Sequence, residues 1–493
     1  MLATTWSAVV DGGRPSLIRV EVLVSPGLPS FSIVGAAESA CREARDRVRA
    51  AVLSSGLAWP MRRITAGLAP SWITKRGSGT DLALGVGVLA AAGVVPGSAL
   101  GELCFVGELG LDGRVRAVPA TAALASVAGG RRLVVAAEAE RASALVSDGH
   151  VSGVRTLSEV VRCLEGVEPW PDATVPGPSS RDRAHDPRQA FAAAGLAWVD
   201  WAPSLAVGAA GGHSAVTVAP LGAGRVVVRA LWECLPDLDR EGARSVLVRA
   251  AGSELEHSEV GDPWRPPLVV LGLADARAGR RREGVGRAVA EAAGGLLLVE
   301  LSAASTRWVR ELDLCLAKAS AWGATVGSDG GGALPGLGNG LGSPVAAPQL
   351  VLSGAPGACQ ALSRSAVEGL SKHVDIALVG QVPSGMAGWL SSEPSAALLS
   401  RRVAAARRRS VERWGVPVSQ VPPVLLQRDA PLGSLERAQL RAFVEHAGGD
   451  EESGWAVHRV ARTVADLAGE STISSDHLQS AAELWAEGRR WWR

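Results

Sequence analysis

The chain has 493 residues and a formal net charge of +1, and it is 47% hydrophobic and 20% charged. That composition excludes wholesale disorder and collagen-like repetition. At about 150 residues per domain, the length predicts roughly three domains, each able to bury a core. Near-neutral charge also excludes a nucleic-acid binder that works by bulk charge alone, so any such contact needs a local basic patch.

All but three of the 50 basic residues are arginine, the lysines being Lys75, Lys318 and Lys372. The six cysteines (Cys41, Cys104, Cys163, Cys234, Cys315 and Cys359) are widely spaced. They form no C-x-x-C clip and read as isolated reduced thiols.

In chain order, Met1 to Gly13 lacks a basic n-region and carries Asp11, which does not fit a signal peptide. Ile18 to Val24 alternates as a strand, and Ser39 to Leu53 predicts a helix with Val48 and Val52 on its inner face. Arg42, Arg45 and Arg49 share another face of that helix; among Glu38, Glu43 and Asp46 they read as a solvated surface, with phosphate contact as the alternative. Leu82 to Leu100 is the most apolar run, but Gly85, Gly87, Gly93 and Pro96 interrupt it. It predicts a buried helix of about a dozen residues and a turn rather than a membrane span. Cys104 to Leu109 and Val115 to Val118 flank Asp112-Gly113, a hairpin signal. Leu133 to Ala136 is a buried strand.

Glu168 to Pro187 is a Pro-rich linker. Ala215 to Val218 is a strand that runs into a Gly-containing turn. Gly323 to Pro348 reads as a long Gly-rich surface loop. From about Glu393 the periods are helical to the end. Arg401, Arg402, Arg407, Arg408, Arg409 and Arg413 fall on one predicted helix, as a solvated face or a contact for DNA or a partner. Val460, Val464 and Leu467 form a buried stripe before the helix cap Gly469. Trp485, Trp491 and Trp492 fit either docking on a surface or a loose tail.

Several ordered motifs resemble one family. They are Gly27-Leu28-Pro29-Ser30-Phe31-Ser32-Ile33-Val34-Gly35, Arg42 to Ala51, Arg63-Ile64-Thr65 with Leu68-Ala69-Pro70, Gly77-Ser78-Gly79-Thr80-Asp81-Leu82, and Gly107-Glu108-Leu109-Gly110-Leu111-Asp112-Gly113. Arg459 to Gly469, with Ile473 and His477-Leu478, adds a C-terminal piece. Together they resemble the ComM/YifB family of magnesium-chelatase-like AAA+ proteins. The resemblance implies a domain with the Lon-protease proteolytic fold (ribosomal S5 domain 2-like), an AAA+ P-loop core and a helical lid. It also implies hexameric rings, with DNA branch migration during natural transformation as the best-understood role.

Lon enzymes use a Ser–Lys pair, in which the lysine takes the hydroxyl proton. Aligned on this chain, the serine position falls on Gly79 and the lysine position on Ala122. Ser78 is adjacent without a base, so no protease dyad is expected.

The family's P-loop, GPPGxGKT after an Ala-Gly-Gly-His lead-in, aligns with Ala219-Pro220-Leu221-Gly222-Ala223-Gly224-Arg225-Val226 after Ala210-Gly211-Gly212-His213. A P-loop needs glycines whose N–H groups close on phosphate, a lysine for the β- and γ-phosphates, and a hydroxyl for Mg²⁺. Gly222 and Gly224 remain, Arg225 replaces the lysine with a planar fork, and Val226 has no hydroxyl. The alternative is a strand-turn-helix that binds nothing.

At the family's Asp-Glu metal strand, Val299 stands at the Asp, while Glu300 survives as a water-polarising carboxylate. Leu350 to Pro356 replaces the sensor strand, with only Cys359 of the cysteine cluster. His373 stands at the arginine that reaches a neighbouring subunit, and the lid arginine aligns near Glu452.

These departures argue against ATP turnover and against Mg²⁺, and leave ATP binding as an expectation of the resemblance. The resulting expectation is an α/β chain in four parts: residues 1–168 Lon-like and non-proteolytic, 169–187 linker, 188–392 altered AAA+ core, and 393–493 helical lid. It is expected in the cytoplasm without membrane contact, as a pseudo-ATPase that binds DNA, its own copies in a hexameric ring or a paralogous AAA+ partner. The alternatives are an active helicase of the same family and a magnesium-chelatase-like subunit. Candidate residues are Glu300 for catalysis and Gly222, Gly224 and Arg225 for nucleotide, with no resident metal ligand.

Overall fold

The computed structural model describes residues 1–11, 14–35, 38–73, 77–175, 187–217, 219, 223–249, 264–271, 282–301, 306–325, 347–354, 362–386 and 395–492. The architecture is α/β, with a mixed sheet and many helices, and is consistent with a generic AAA+ fold. The described residues fall into two compact units. The first takes those within Met1–Ser179 and Leu238–Arg265; the second takes those within Ser180–Asp237, Pro266–Gly331 and Ser343–Arg493.

The first unit is built on a seven-stranded sheet of order β3-β4-β2-β1-β5-β8-β9. Its strands are β1 (Leu2–Asp11), β2 (Arg14–Ser25), β3 (Ser30–Val34), β4 (Arg63–Ala69), β5 (Leu103–Val106), β8 (Arg132–Ala136) and β9 (Val151–Val154). Helices α1 (Glu38–Ser54) and α2 (Asp81–Ala91) lie on one face. All eleven residues of α2 are buried, as a helix apolar on every side requires. A Cβ on Gly87 would lie 2.7 Å from Val22 Cγ2, and one on Gly85 would lie 3.0 Å from Leu109 Cδ1. These glycines, which looked like interruptions of an apolar run, let α2 settle onto the strands beneath it.

The run Cys104 to Leu109 divides between two sheets. Its first part pairs in β5, and only β6 (Glu108–Leu109) makes the antiparallel hairpin with β7 (Val115–Arg116). Gly113 takes φ +80° at that turn, which a side chain would resist.

The other sheet face is covered by α3 (Thr121–Leu124) and α4 (Glu140–Val146), while α5 (Leu157–Leu164) joins the first core. Helices α6 (Pro187–Ala193), α7 (Trp198–Gly211) and α8 (Gly224–Cys234) belong to the second unit. Helix α9 (Arg240–Arg249), although it follows them, packs on the first through Ala243 and Leu247. Trp264 joins the same cluster, and Leu238 N donates to Trp264 O over 2.7 Å.

The second unit holds a five-stranded parallel sheet of order β11-β12-β13-β10-β14. Its strands are β10 (Ala215–Thr217), β11 (Leu268–Leu271), β12 (Leu296–Glu300), β13 (Gln349–Ser353) and β14 (Ile376–Leu378). The C-terminal segment is all helix and 3-10 turns: Ala396–Trp414, Pro423–Asp429, Ser434–His446, Glu451–Ala468 and Ser475–Trp491. These helices share the sheet's core through Leu399, Val403, Val457, Val460, Val464 and Trp485. Gly469 caps its helix with φ +83°. Trp485 is buried edge-on to Phe443, and Trp491 and Trp492 pack partly buried against the core, so the end is no loose tail.

Pro176 to Asp186, most of the Gly323 to Pro348 loop, and Cys359 lie outside the described residues. The first residues of that loop continue a helix, Thr306–Thr325. Among the described residues, no helix is long and apolar enough to cross a membrane.

Candidate functional site

The C-terminal ends of β10, β12 and β13 lie side by side, with Thr217 opposite Ser353 and Ser353 opposite Glu300. The chain leaves β10 for the far edge strand β11 and returns through β12 and β13; β14 then lands on the other side of β10. Such a reversal leaves a crevice outside the carboxyl ends of the strands, the usual place for a ligand in a parallel sheet. Helix α8 starts over it. Thr217 Oγ1 donates to Ser353 Oγ over 3.3 Å, and a Cβ on Gly224 would lie 2.2 Å from that Ser353 oxygen. Gly224 is therefore required for α8 to start this close to the sheet.

The next residue decides the chemistry. Arg225 closes a two-point fork on Glu300, with Nε to Oε1 at 2.5 Å and Nη2 to Oε2 at 2.9 Å. The Arg225 hydrogen bonds and charge hold the Glu300 carboxyl below its ordinary range against the opposing effect of burial. Two residues that the sequence reading assigned to separate tasks thus neutralise each other.

Val226, at the hydroxyl position, packs against the core, and Val299, at the acid position, is fully buried. Neither offers an oxygen to a cation. Among the described residues, no group of three or more His, Cys, Asp or Glu side chains is placed to hold a metal. The two described positions, Val226 and Val299, do not fit Mg²⁺. Gly222 lies outside the described residues.

The lead-in motif has a structural task that sequence reasoning missed. Gly212 ends α7 at φ +69°, and His213 is then completely buried. Its Nε2 lies 2.8 Å from Thr463 Oγ1 and its Nδ1 lies 3.4 Å from Asp375 Oδ2. Burial pushes Asp375 up, but the His213 hydrogen bond and charge and the Arg459 charge outweigh it and leave the carboxyl below its ordinary value. Gln349 Nε2 donates to His213 O over 2.6 Å. A Cβ on Gly211 would lie 2.2 Å from the imidazole and 2.6 Å from Thr463 Oγ1. The visible signal was only the paired glycine at the end of a helical run, which marks the cap; the inward turn of His213 depends on Thr463 and Asp375, far away in sequence.

His373 pairs with Asp313 at 2.9 Å, and Glu452 with Arg459 at 3.1 Å. The arginine row on the helix Ala396–Trp414 is divided. Arg407 Nη1 donates to Ala209 O and Arg409 Nη1 to Asp466 O, while Arg413 forks onto Asp466. Desolvation lowers Arg407 to about 10. Half of the row therefore fastens helices together, while Arg401 and Arg408 are exposed.

In the first unit, Arg45 Nη1 donates to Phe31 O over 3.3 Å, while Arg42 and Arg49 are exposed beside Glu43 and Asp46. Gly79 packs at Val118 and Ala122 is buried in α3, so neither Lon-type position carries a reactive group. Ser78 does meet an acid, which the sequence reading did not anticipate: its hydroxyl donates to Glu108. Beside it, Asp81 is fully buried and takes a 2.6 Å hydrogen bond from Arg47 Nε. Desolvation raises Asp81 from 3.8 to about 6, although Arg47 opposes the shift.

Residues 20–139 match the family described as subunit ChlI of Mg-chelatase. Residues 392–484 match the family described as magnesium chelatase, subunit ChlI C-terminal. The chain is 32% identical over 281 residues to the competence protein ComM of Haemophilus influenzae, covering 54% of this chain and 53% of the relative. It is 33% identical over 252 residues to an uncharacterized protein, YifB, of Escherichia coli, covering 50% and 48%. It is also 32% identical over 314 residues to an uncharacterized protein of Mycobacterium bovis, covering 61% and 60%. The match spans about half the length of these curated relatives. These matches support a family-level similarity to AAA+ proteins of the ComM/YifB and magnesium-chelatase type.

Proposed function

We propose that this chain is a ComM/YifB-like AAA+ pseudo-ATPase that acts by binding DNA or a partner ring rather than by hydrolysing ATP. One observation carries the reading: the Arg225–Glu300 fork closes the crevice above the parallel sheet where turnover needs a free cation and a free carboxylate. Val226 and Val299 support it, because phosphoryl transfer relies on a metal ion whose charge stabilisation is worth several kcal/mol. In this reading residues 1–168 form a Lon-like, non-proteolytic domain, 169–187 a linker, 188–392 the core apart from α9 and Trp264, which pack in the first unit, and 393–493 the lid. A hexameric ring of its own copies or a paralogous AAA+ partner, in the cytoplasm, is the expected assembly.

The relative named as a competence protein motivates branched DNA as the ligand to try first. The test is ATP hydrolysis by the full chain with and without Mg²⁺ and branched DNA, alongside a gel-shift titration. The expected result is DNA or partner binding with no turnover. Mg²⁺-dependent, DNA-stimulated turnover abolished by Glu300→Gln would instead establish the active helicase of the same family.

A further inference from the structure

We propose that Glu300 is a built-in competitor for polyphosphate at Arg225, so that the crevice is shut by the chain's own carboxylate. The inference rests on the non-hydrolytic reading and names what regulates that site. A guanidinium presents its N–H groups as a planar fork that takes two oxygens of a carboxylate or of a phosphate in the same way. Here both contacts of one edge are spent on Glu300, through Nε and Nη2.

The two partners differ in freedom. The Glu300 side chain is 18% exposed at the end of β12, while that of Arg225 is 69% exposed at the start of α8. The acid is held by the sheet, and the arginine is the member that solvent and ligands can reach. An arriving polyphosphate meets a negative charge already paired with Arg225, and like charges repel. No metal-holding oxygen stands at Val226 or Val299 to offset that repulsion. Neutralising Glu300 without changing its shape should therefore open the crevice to anions, with Arg225 as the recognising group.

The test is calorimetric titration of the full chain, in EDTA, with inorganic triphosphate and with ATP. Wild type, Glu300→Gln and the double variant Arg225→Ala/Glu300→Gln are compared, with circular dichroism confirming that each is folded. Glu300→Gln is expected to bind at least about ten-fold tighter than wild type, and the double variant to lose the gain. Should Glu300→Gln fail to fold, Glu300→Asp replaces it. Its carboxylate is the same group drawn back by one methylene, which weakens the contact with Arg225 without removing the charge, and a smaller gain is expected.

A gain for both ligands supports competition for polyphosphate itself, and a gain confined to ATP supports it with a nucleotide as the natural source. Wild type binding as tightly as Glu300→Gln, or a gain that survives loss of Arg225, overturns the proposal. The two readings fail separately. Mg²⁺-dependent turnover by wild type removes the non-hydrolytic reading, whereas equal affinities in EDTA remove the competitor and leave that reading standing.

Discussion

Asp81 shows how a single side chain sets conditions for its surroundings. The fully buried carboxyl meets Arg47, yet desolvation still raises it from 3.8 to about 6. A carboxyl with a raised folded value binds its proton more readily in the native state than in the unfolded one. Its contribution to stability is complete below pH 3.8 and is lost as the pH rises through about 6. The interval corresponds to about 3 kcal/mol. Urea melts of the full chain, followed by hydrogen exchange in α2, should show stability falling between about pH 4 and about pH 6 and levelling off above that. Asp81→Asn should flatten that slope. Arg47→Met leaves the acid buried without its partner and should cost about 3 kcal/mol at pH 7.5. The loss should be smaller at pH 5, where Asp81 takes up a proton. An equal loss at both pH values would show that Arg47 acts by packing and not by charge.

At the scale of elements, the second unit is joined through the turn after α7. His213 sits between Thr463 on the helix Glu451–Ala468 and Asp375 just before β14. Thr463→Val keeps the shape and removes the hydroxyl that faces the imidazole. The unpaired buried nitrogen should cost about 1–3 kcal/mol in denaturant melts. Gly211→Ala places a methyl where the imidazole already lies and should cost a comparable amount through overpacking. If either variant is neutral, the buried histidine contributes nothing to joining these elements.

The same scale shows what local pattern can and cannot reveal. The strand at β2, the helix α1, the Asp-Gly hairpin and the capped helix ending at Gly469 were legible because each depends on neighbours within a few residues. The buried helix α2 and the turn after it were legible too, but the packing role of Gly85 and Gly87 was not, since it is set by Val22 and Leu109 at a distance. The division of Cys104 to Leu109 between two sheets was hidden for the same reason. At the candidate site the glycine turn and the substituted positions were visible. The Arg225–Glu300 fork was not, because its partners are 75 positions apart in sequence.

At the scale of the whole molecule, the two units are not two consecutive stretches of chain. Helix α9 and Trp264 arise after α8 yet complete the core of the first unit. Leu247→Ala, at a site with 7% exposure, should cost about 2–5 kcal/mol and raise hydrogen exchange in α9. Breaking the Arg244–Asp148 fork on the same helix should cost under about 1 kcal/mol, since Asp148 is 67% exposed. The contrast would show that apolar burial, not the surface ion pair, holds the segment in place.

The interleaving bears on how the protein is made. A ribosome releases the chain from its N-terminal end, so all the strands of the seven-stranded sheet emerge well before α9 does. The surface that awaits Ala243, Leu247 and Trp264 stays uncovered while α6, α7, β10 and α8 are still being synthesised. A nascent chain stalled near the Pro-rich segment would present that apolar surface to chaperones. Release of that chaperone binding should track synthesis through Trp264 rather than the end of the sheet.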